Sequence, residues 1–337
     1  METKRRILWV DYSKTICIIL MVIGHAGLLS VDANFRGFIY YFHIPCLFVI
    51  SGYLDKKKDL GGLLFSLGIP LITFNVLNYP WYVYNLQHHG IPFSFQSMVL
   101  APIAGLWLHD FDLGHPLCGP FWFVVALMIE KLVVHYLLPV KRTGYEVLVA
   151  ILCVCMVAWN VGILDSKWLF MVKKAIISMP FFIFGRMLKS SRWFDLLLNV
   201  KTPNRRYWYA VTGIGGGIIM TLSIFYMVNG NVDMYQERFG NIAVYYIGGL
   251  IGSLLVILVS KCLAEIFTCH QMIINISQGT LVILGLHQFL IFAINKAFHF
   301  RLLFPNQGIV IALVTVALLY PLIIFILNKF PIVIGKK

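Results

Sequence analysis

Residues 11–53 read DYSKTICIILMVIGHAGLLSVDANFRGFIYYFHIPCLFVISGY, and this stretch decides the fold class. Residues 15–29 are apolar enough to enter a bilayer, yet they contain His25, and Asp11 and Lys14 stand just before them. An α-helix turns about 100° and rises about 1.5 Å per residue, so Lys14 and His25 share one face roughly 16 Å apart. Asp11, one turn before Lys14, lies on the same face. The pattern therefore predicts a helix with a polar pair near one membrane surface and an imidazole toward the other.

His25 is the residue of this run that most needs an explanation. Charged groups in a membrane cost about 2.5–3.5 kcal/mol on insertion scales for Asp, Lys and Arg, so ionisable groups there are interpreted as functional by default. The alternative is a neutral His25 that only hydrogen-bonds a neighbouring helix. Asp11 and Lys14 on the same face favour the functional interpretation.

Two segments of this stretch, DYSKTICIILMVIGHAG and FIYYFHIPCLFVISGYL, carry a recognisable pattern. They resemble the opening of the acyltransferase 3 family of integral-membrane O-acyltransferases, and within it the sugar O-acetylase branch. The matching residues are His25, His43, Pro45, Ser51, Gly52 and Tyr53. In that family a basic residue, usually Arg, precedes the His that is taken as catalytic. Lys14 holds the place of this Arg, which keeps the charge but loses the planar fork of donors.

The resemblance implies one membrane-embedded domain over residues 1–337, with a core motif region at 11–53 and an outer loop at 85–118. The implied reaction moves an acetyl or other short acyl group from cytoplasmic acyl-CoA to a hydroxyl of a cell-surface or lipid-linked glycan. Acetyl-CoA is the expected donor, as a co-substrate, and no metal is expected. The expected partners are a carbohydrate acceptor and the lipid bilayer, and the expected location is a bacterial cytoplasmic membrane.

The composition indicates a polytopic membrane protein. The chain has 337 residues, of which 60% are hydrophobic and 12% charged, with a mean hydropathy of +0.83. A soluble domain averages about 45–50% apolar and 25% charged residues. The formal charge of +13 does not indicate nucleic acid, because the basic residues cluster in loops as a topology signal does. The seven cysteines form no C-x-x-C pair and are predicted to be small buried hydrophobes.

A membrane-crossing helix needs about 20 apolar residues, and such runs recur along the chain. We predict ten, at residues 15–31, 38–54, 61–84, 119–138, 145–164, 169–188, 208–228, 241–260, 275–296 and 308–328. Lys and Arg are concentrated in the loops on one side, which places both termini in the cytoplasm. The predicted fold class is an all-α polytopic membrane protein with about ten transmembrane helices.

The chemistry is predicted around two histidines. A cytoplasmic acyl-CoA would extend its thin pantetheine arm into the helix bundle toward His25, with Lys14 nearer the cytoplasm. His25 is predicted to act as general base toward an acceptor hydroxyl, because an imidazole titrates near working pH. Formation of an acyl-His is the competing role. His43, at a similar depth, would orient the base or contact the sugar; alternatively it is a packing histidine that hydrogen-bonds a backbone carbonyl freed by Pro45.

Basic residues on the inner side are the candidates for acyl-CoA. The resemblance places family CoA contacts at Lys56, Lys57 and Lys58, and Lys14 joins them. Arg186, in FFIFGRML, is a further candidate for a CoA phosphate. Its alternative role is that of a topology anchor whose side chain snorkels to the interface.

Two further polar residues are candidates for substrate binding. Many family members carry a carboxylate five residues after the Trp that corresponds to Trp122, where this chain has Leu127. The nearest carboxylate is Glu130, an orienter or a structural partner of Lys131. His287, in ILGLHQF, resembles a late-helix His of the family and is predicted to line the substrate or to be structural.

The predicted outer loop is rich in polar side chains. It contains His88, His89, His109, Asp110, Asp112 and His115. A metal site is not favoured, because the histidines of the loop have no H-x-x-x-H spacing. A polar lid that binds the acceptor is the preferred interpretation, since loops commonly carry recognition.

Two other classes of protein are compatible with the composition. A transporter or exporter of a lipid-linked glycan or small solute also places ionisable residues inside the membrane, and inverted repeats with interrupted helices would favour it. A structural membrane scaffold explains the hydrophobicity but not the grouping of Lys14, His25 and His43.

Overall fold

The computed structural model describes residues 6–26, 31–107, 118–137, 143–160, 162–192, 194–195, 205–298 and 303–336. These residues are mainly helical, and their β-structure is limited to one bridge between Asp233 and Arg238. The α-helices are α1 Leu8–His25, α2 Ala33–Tyr40, α3 His43–Tyr53, α4 Leu60–Leu63, α5 Ile69–His88, α6 Ala101–Gly105, α7 Trp122–Leu132, α8 Thr143–Ala158, α9 Phe170–Ser190, α10 Arg205–Asn229, α11 Ile242–Ile266, α12 Gln271–Gln278, α13 Thr280–Ala297 and α14 Gln307–Lys329.

Nine helical segments of the described chain are long and apolar enough to cross a membrane. They are Leu8–His25, Ala33–Tyr53, Leu60–His88, Gly119–Leu137, Lys167–Ser190, Val211–Asn229, Ile242–Ile266, Thr280–Ala297 and Gln307–Lys329. The remaining predicted span, 145–164, corresponds to α8, which is apolar but only 16 residues long. The prediction of an all-α polytopic membrane protein is confirmed.

The first helix begins and ends earlier than predicted. α1 runs from Leu8 to His25, not over residues 15–31, so Asp11 lies inside it and His25 is its last residue. The early start is possible because the carboxylate of Asp11 is paired with Arg6, which lowers the cost of burying it. His25 is therefore at a helix end rather than within the apolar run.

The second predicted span is two helices. Tyr41 and Phe42 interrupt it between α2 and α3, and His43 is the first residue of α3. Pro45 explains the interruption, because it cannot donate to the carbonyl of Tyr41 and its ring clashes with that carbonyl in a continuous helix. The predicted span 275–296 is likewise divided at Gly279, between α12 and α13.

The chain divides into two compact units. Unit 1 contains residues 1–55, 181–280 and 302–320, and unit 2 contains residues 56–180, 281–301 and 321–337. In unit 1, α1 packs against α3, α11 and α12. The division falls at Pro180 in α9 and at Pro321 in α14.

In unit 1, α3 and α9 meet at two glycines. A Cβ on Gly52 would overlap the carbonyl oxygen of Phe182, and a Cβ on Gly185 would overlap that of Val49. Small residues allow helix backbones to approach this closely in membranes. Gly52 therefore serves the close contact between α3 and α9.

In unit 2, α13 packs on α5 through Gly285. Its carbonyl accepts a hydrogen bond from Asn78 Nδ2 at 2.8 Å, and a Cβ there would lie 2.4–3.0 Å from atoms of Phe74. Phe74 in turn contacts Phe121, with ring centroids 5.5 Å apart. This packing fixes the helix that carries His287.

Candidate active site

A charged cluster occupies the beginning of α1 in unit 1. Arg6 makes a two-pronged contact with Asp11, at 2.7 Å from Nε to Oδ2 and 2.8 Å from Nη2 to Oδ1. Ser277 Oγ of α12 donates to Asp11 Oδ1 at 2.6 Å. Lys14 is half-buried and interacts electrostatically with both Asp11 and Arg6. Asp11 therefore joins α1 to α12 and also places a negative charge close to Lys14.

Replacing Asp11 should destabilise unit 1. Asp11→Ala removes the hydrogen bonds from Arg6 and from the buried Ser277, and bonds to charged groups are worth about 1.5–3 kcal/mol. We expect a lower melting temperature in detergent for Asp11→Ala and a smaller decrease for Ser277→Ala, which leaves the Arg6 pair in place. Equal melting temperatures for Asp11→Ala and the wild type would contradict this role.

His25 ends α1 and is accessible. Its side chain is exposed at the end of the helix. An accessible imidazole is in reach of a bound substrate.

His43 is buried and is held by the last turn of α2. Its Nδ1 lies 2.8 Å from the carbonyl oxygen of Ile39, which only accepts, so Nδ1 carries the hydrogen. In the neutral ring, Nε2 then keeps the lone pair. The hydrogen bond to a backbone carbonyl is confirmed, but the carbonyl is that of Ile39 rather than the Tyr41 carbonyl that Pro45 frees.

Tyr40 connects the two histidines. Its ring centroid lies 5.0 Å from that of His43, at an interplanar angle of 59°. Its hydroxyl donates a long hydrogen bond of 3.5 Å to the carbonyl of Gly24, the neighbour of His25. The imidazoles of His25 and His43 are also within electrostatic range of each other. The structure thus brings His25 and His43 together, whereas Lys14 lies about three turns away along α1 and interacts with the Asp11 cluster.

Arg186 is engaged inside unit 1. Its Nη1 donates to Oδ2 of Asp55, whose carboxylate is fully buried. Lys189 Nζ donates to the backbone oxygen of Asp55 at 2.7 Å. Arg186 is therefore paired with a buried carboxylate, close in sequence to the glycines at which α3 and α9 cross.

Lys56, Lys57 and Lys58 belong to unit 2 and are exposed in the non-helical segment before α4. Lys57 Nζ lies 5.5 Å from the ring centroid of Tyr136, whose hydroxyl donates to the Lys58 carbonyl at 2.8 Å. Partial burial and the nearby ammonium of Lys131 both lower the pKa of Lys58. A bound anion would offset this repulsion, so the segment is suited to phosphate groups.

Glu130 and His287 also lie in unit 2, and both are fully buried. Ser178 Oγ of α9 donates to Glu130 Oε1 at 2.6 Å, while Lys131 interacts electrostatically with Lys58. His287 Nδ1 donates to the Ile283 carbonyl at 2.8 Å, which fixes its tautomer as in His43. Glu130 is therefore hydrogen-bonded within the core of unit 2.

Part of the predicted outer loop is helical in the structure. Residues 85–88 continue α5, and α6 with the π-helical segment Gln96–Leu100 makes part of the loop helical. His109, Asp110, Asp112 and His115 lie outside the described residues. In the part of the chain that is described, no three His, Cys, Asp or Glu side chains are grouped as metal ligands would be.

Sequence reasoning missed four residues of this site. Tyr40, Arg6, Ser277 and Asp55 each contact a predicted candidate or its helix. A signal was present for two of them, since Tyr40 is in the aromatic run before His43 and Asp55 precedes the three lysines. Ser277 had none, because its partner Asp11 is 266 positions away.

Comparison with known proteins gives one family and one relative. The model of a family described as an acyltransferase domain, acyltransferase 3, matches residues 7–328. The nodulation protein NolL of Mesorhizobium japonicum is 24% identical over 164 residues, which cover 44% of this chain and 40% of that protein. The matched region is thus less than half the length of this curated relative. No solved structure matches the chain significantly.

Proposed function

This chain belongs to the acyltransferase 3 family, and from that membership we propose that it moves an acetyl or other short acyl group from cytoplasmic acyl-CoA to a hydroxyl of a cell-surface or lipid-linked glycan. The observation that carries the proposal is the pairing of an accessible His25 with His43 in unit 1. It lies in the segment that carries the family motif, and imidazoles are the usual groups for proton transfer near neutral pH.

In the proposed reaction His25 is the general base. It takes the proton of the acceptor hydroxyl as that oxygen bonds to the thioester carbonyl carbon. The carbon–sulfur bond then breaks, and CoA leaves as a thiolate that takes up the proton from His25. His43, with Nδ1 committed to Ile39, has Nε2 to orient the base or accept a hydrogen bond from the sugar.

Acyl-CoA presents phosphates, and the residues that fit them are Lys56, Lys57 and Lys58. They are exposed, adjacent and positively charged, whereas Arg186 is paired with Asp55. We assign the phosphates to the three lysines and assign Arg186 to the support of Asp55. Lys14 remains a candidate for binding the thioester end of acyl-CoA, because it lies in the same helix as His25.

Replacing the three lysines together by glutamine should weaken donor binding. Hydrogen bonds to charged groups are worth about 1.5–3 kcal/mol, so we expect KM for acetyl-CoA to rise about tenfold or more, with a smaller change in kcat. The increase should shrink at high salt, which screens exposed charges. A triple arginine variant is the control, since it keeps the charge. Unchanged KM in the glutamine variant would remove these lysines from the donor site.

The function is tested with labelled acetyl-CoA and membranes that contain or lack the protein, in the presence of a complete pool of cellular glycans. Label that enters glycan only when the protein is present would support the proposal. Absence of transfer, with glycan export that depends on the protein, would indicate a transporter, a class in which interrupted helices such as α2–α3 are also common.

A further inference from the structure

We propose that Tyr40 is a positioning residue, whose ring sets the end of α1 that carries His25 relative to His43. The inference rests on the proposed function, since it concerns the same reaction. It assigns to Tyr40 a role that neither the family motif residues nor the predicted site included.

The first observation is the contact between Tyr40 and Gly24. A Cβ built on Gly24 would lie 2.8 Å from Cε2 of Tyr40 and 3.3 Å from its hydroxyl oxygen. The ring therefore lies directly on the backbone of the residue before His25. A glycine at position 24 is what allows this approach.

The second observation is the contact between Tyr40 and His43. The tyrosine is the last residue of α2, and the interruption at Tyr41 and Phe42 places His43 beside it. Their ring centroids are 5.0 Å apart, and the carbonyl of Ile39, one residue before Tyr40, holds Nδ1 of His43. One short segment thus fixes the orientation of His43 and contacts the end of α1.

Electrostatics place other groups around Tyr40. Asp233, in the connection between α10 and α11, and Arg36, one turn earlier in α2, both interact electrostatically with the tyrosine. The contacts of the ring with Gly24 and His43 are the observations on which the role of Tyr40 rests.

Geometry of this kind matters for the rate. A displacement of about 1 Å of a catalytic group can cost about 100-fold in turnover. Loss of the ring would let the end of α1 shift relative to His43, which lowers the turnover number without removing groups assigned to acyl-CoA.

The test compares Tyr40→Phe with Tyr40→Leu. The hydrogen bond of 3.5 Å is at the weak end of the range, so Tyr40→Phe should keep kcat within about threefold of the wild type. Tyr40→Leu should lower kcat about 10- to 100-fold with little change in KM for acetyl-CoA. The amount and melting temperature of each purified variant are measured in parallel, so that a loss of folded protein is not taken for a loss of turnover.

A double-variant cycle tests the contact itself. Gly24→Ala should lower kcat because the added methyl group meets the Tyr40 ring. Gly24→Ala combined with Tyr40→Leu should be no less active than Tyr40→Leu alone, because the obstructing ring is gone. Gly216→Ala is the matched control, since nothing lies within 4 Å of a Cβ there.

Three results would overturn the inference, provided that the wild-type protein transfers acyl groups. They are additive losses in the double variant, a Tyr40→Leu variant with wild-type kcat, and a Tyr40→Phe variant as slow as Tyr40→Leu. A wild-type protein that transfers no acyl group would instead refute the proposed function, so the two failures are distinguishable.

Discussion

Membranes that contain His25→Ala should transfer acyl groups about 100- to 10,000-fold more slowly than membranes with the wild-type protein, because general acid–base catalysis contributes about this much. The imidazole is accessible at the end of α1, and its loss leaves the acceptor hydroxyl without the proposed base. The measurement is the initial rate of label transfer from acetyl-CoA into glycan, normalised to the amount of protein in the membrane.

His270→Ala is the matched control for this substitution. It also removes a histidine from unit 1, one that interacts with Tyr12 at 3.1 Å and has no part in the proposed reaction. We expect it to retain nearly full activity. A His25→Ala variant with turnover close to that of the wild type would discard His25 as the base.

The same assay separates the base from an acyl-His intermediate. Incubation of wild-type protein with labelled acetyl-CoA in the absence of acceptor should leave the protein unlabelled if His25 is a general base. Label that attaches to the protein and then passes to added glycan would instead indicate covalent catalysis.

Gly52→Ala and Gly185→Ala should each strongly destabilise unit 1. The added Cβ would overlap a backbone carbonyl of the facing helix, which cannot move away as a side chain can. Ordinary overpacking costs about 1–3 kcal/mol, and we expect these variants to be at or above the upper end. The measurement is the melting temperature of the protein in detergent, together with the folded yield.

Gly216→Ala is again the control, because it replaces a helical glycine that faces open space. Its melting temperature should equal or exceed that of the wild type, since alanine is favoured over glycine in a helix by about 1 kcal/mol. If Gly52→Ala melts like the wild type, the close approach of α3 and α9 is not a determinant of stability.

Much of the fold could be predicted from apolar runs, but the helix ends could not. A hydropathy pattern starts the first span after Lys14, since it counts Asp11 as a cost and cannot include the partner that neutralises it. The interruption before His43 was readable in principle from Pro45, whose missing N–H breaks the helical ladder. An apolar average over 38–54 hides it.

The site shows a similar limit. His25 and His43 were identified from residue type and motif, and their proximity depends on a packing that the sequence does not state. The residue type of Tyr40 does not distinguish it from the other aromatic residues of FIYYF, and its role depends on its contacts with Gly24 and His43. The ion pair between Arg186 and Asp55, which lies 131 positions earlier, likewise depends on the crossing of α3 and α9.

The short helix α8 has a consequence for the surrounding lipid. Its 16 residues span about 24 Å, against a hydrocarbon core of about 30 Å. As a membrane-crossing helix it would be mismatched by about 6 Å, and a bilayer meets such a helix by thinning locally at a modest cost per ångström. A membrane-crossing α8 should therefore make acyl transfer depend on bilayer thickness, with shorter lipid chains better matched to α8 than longer ones.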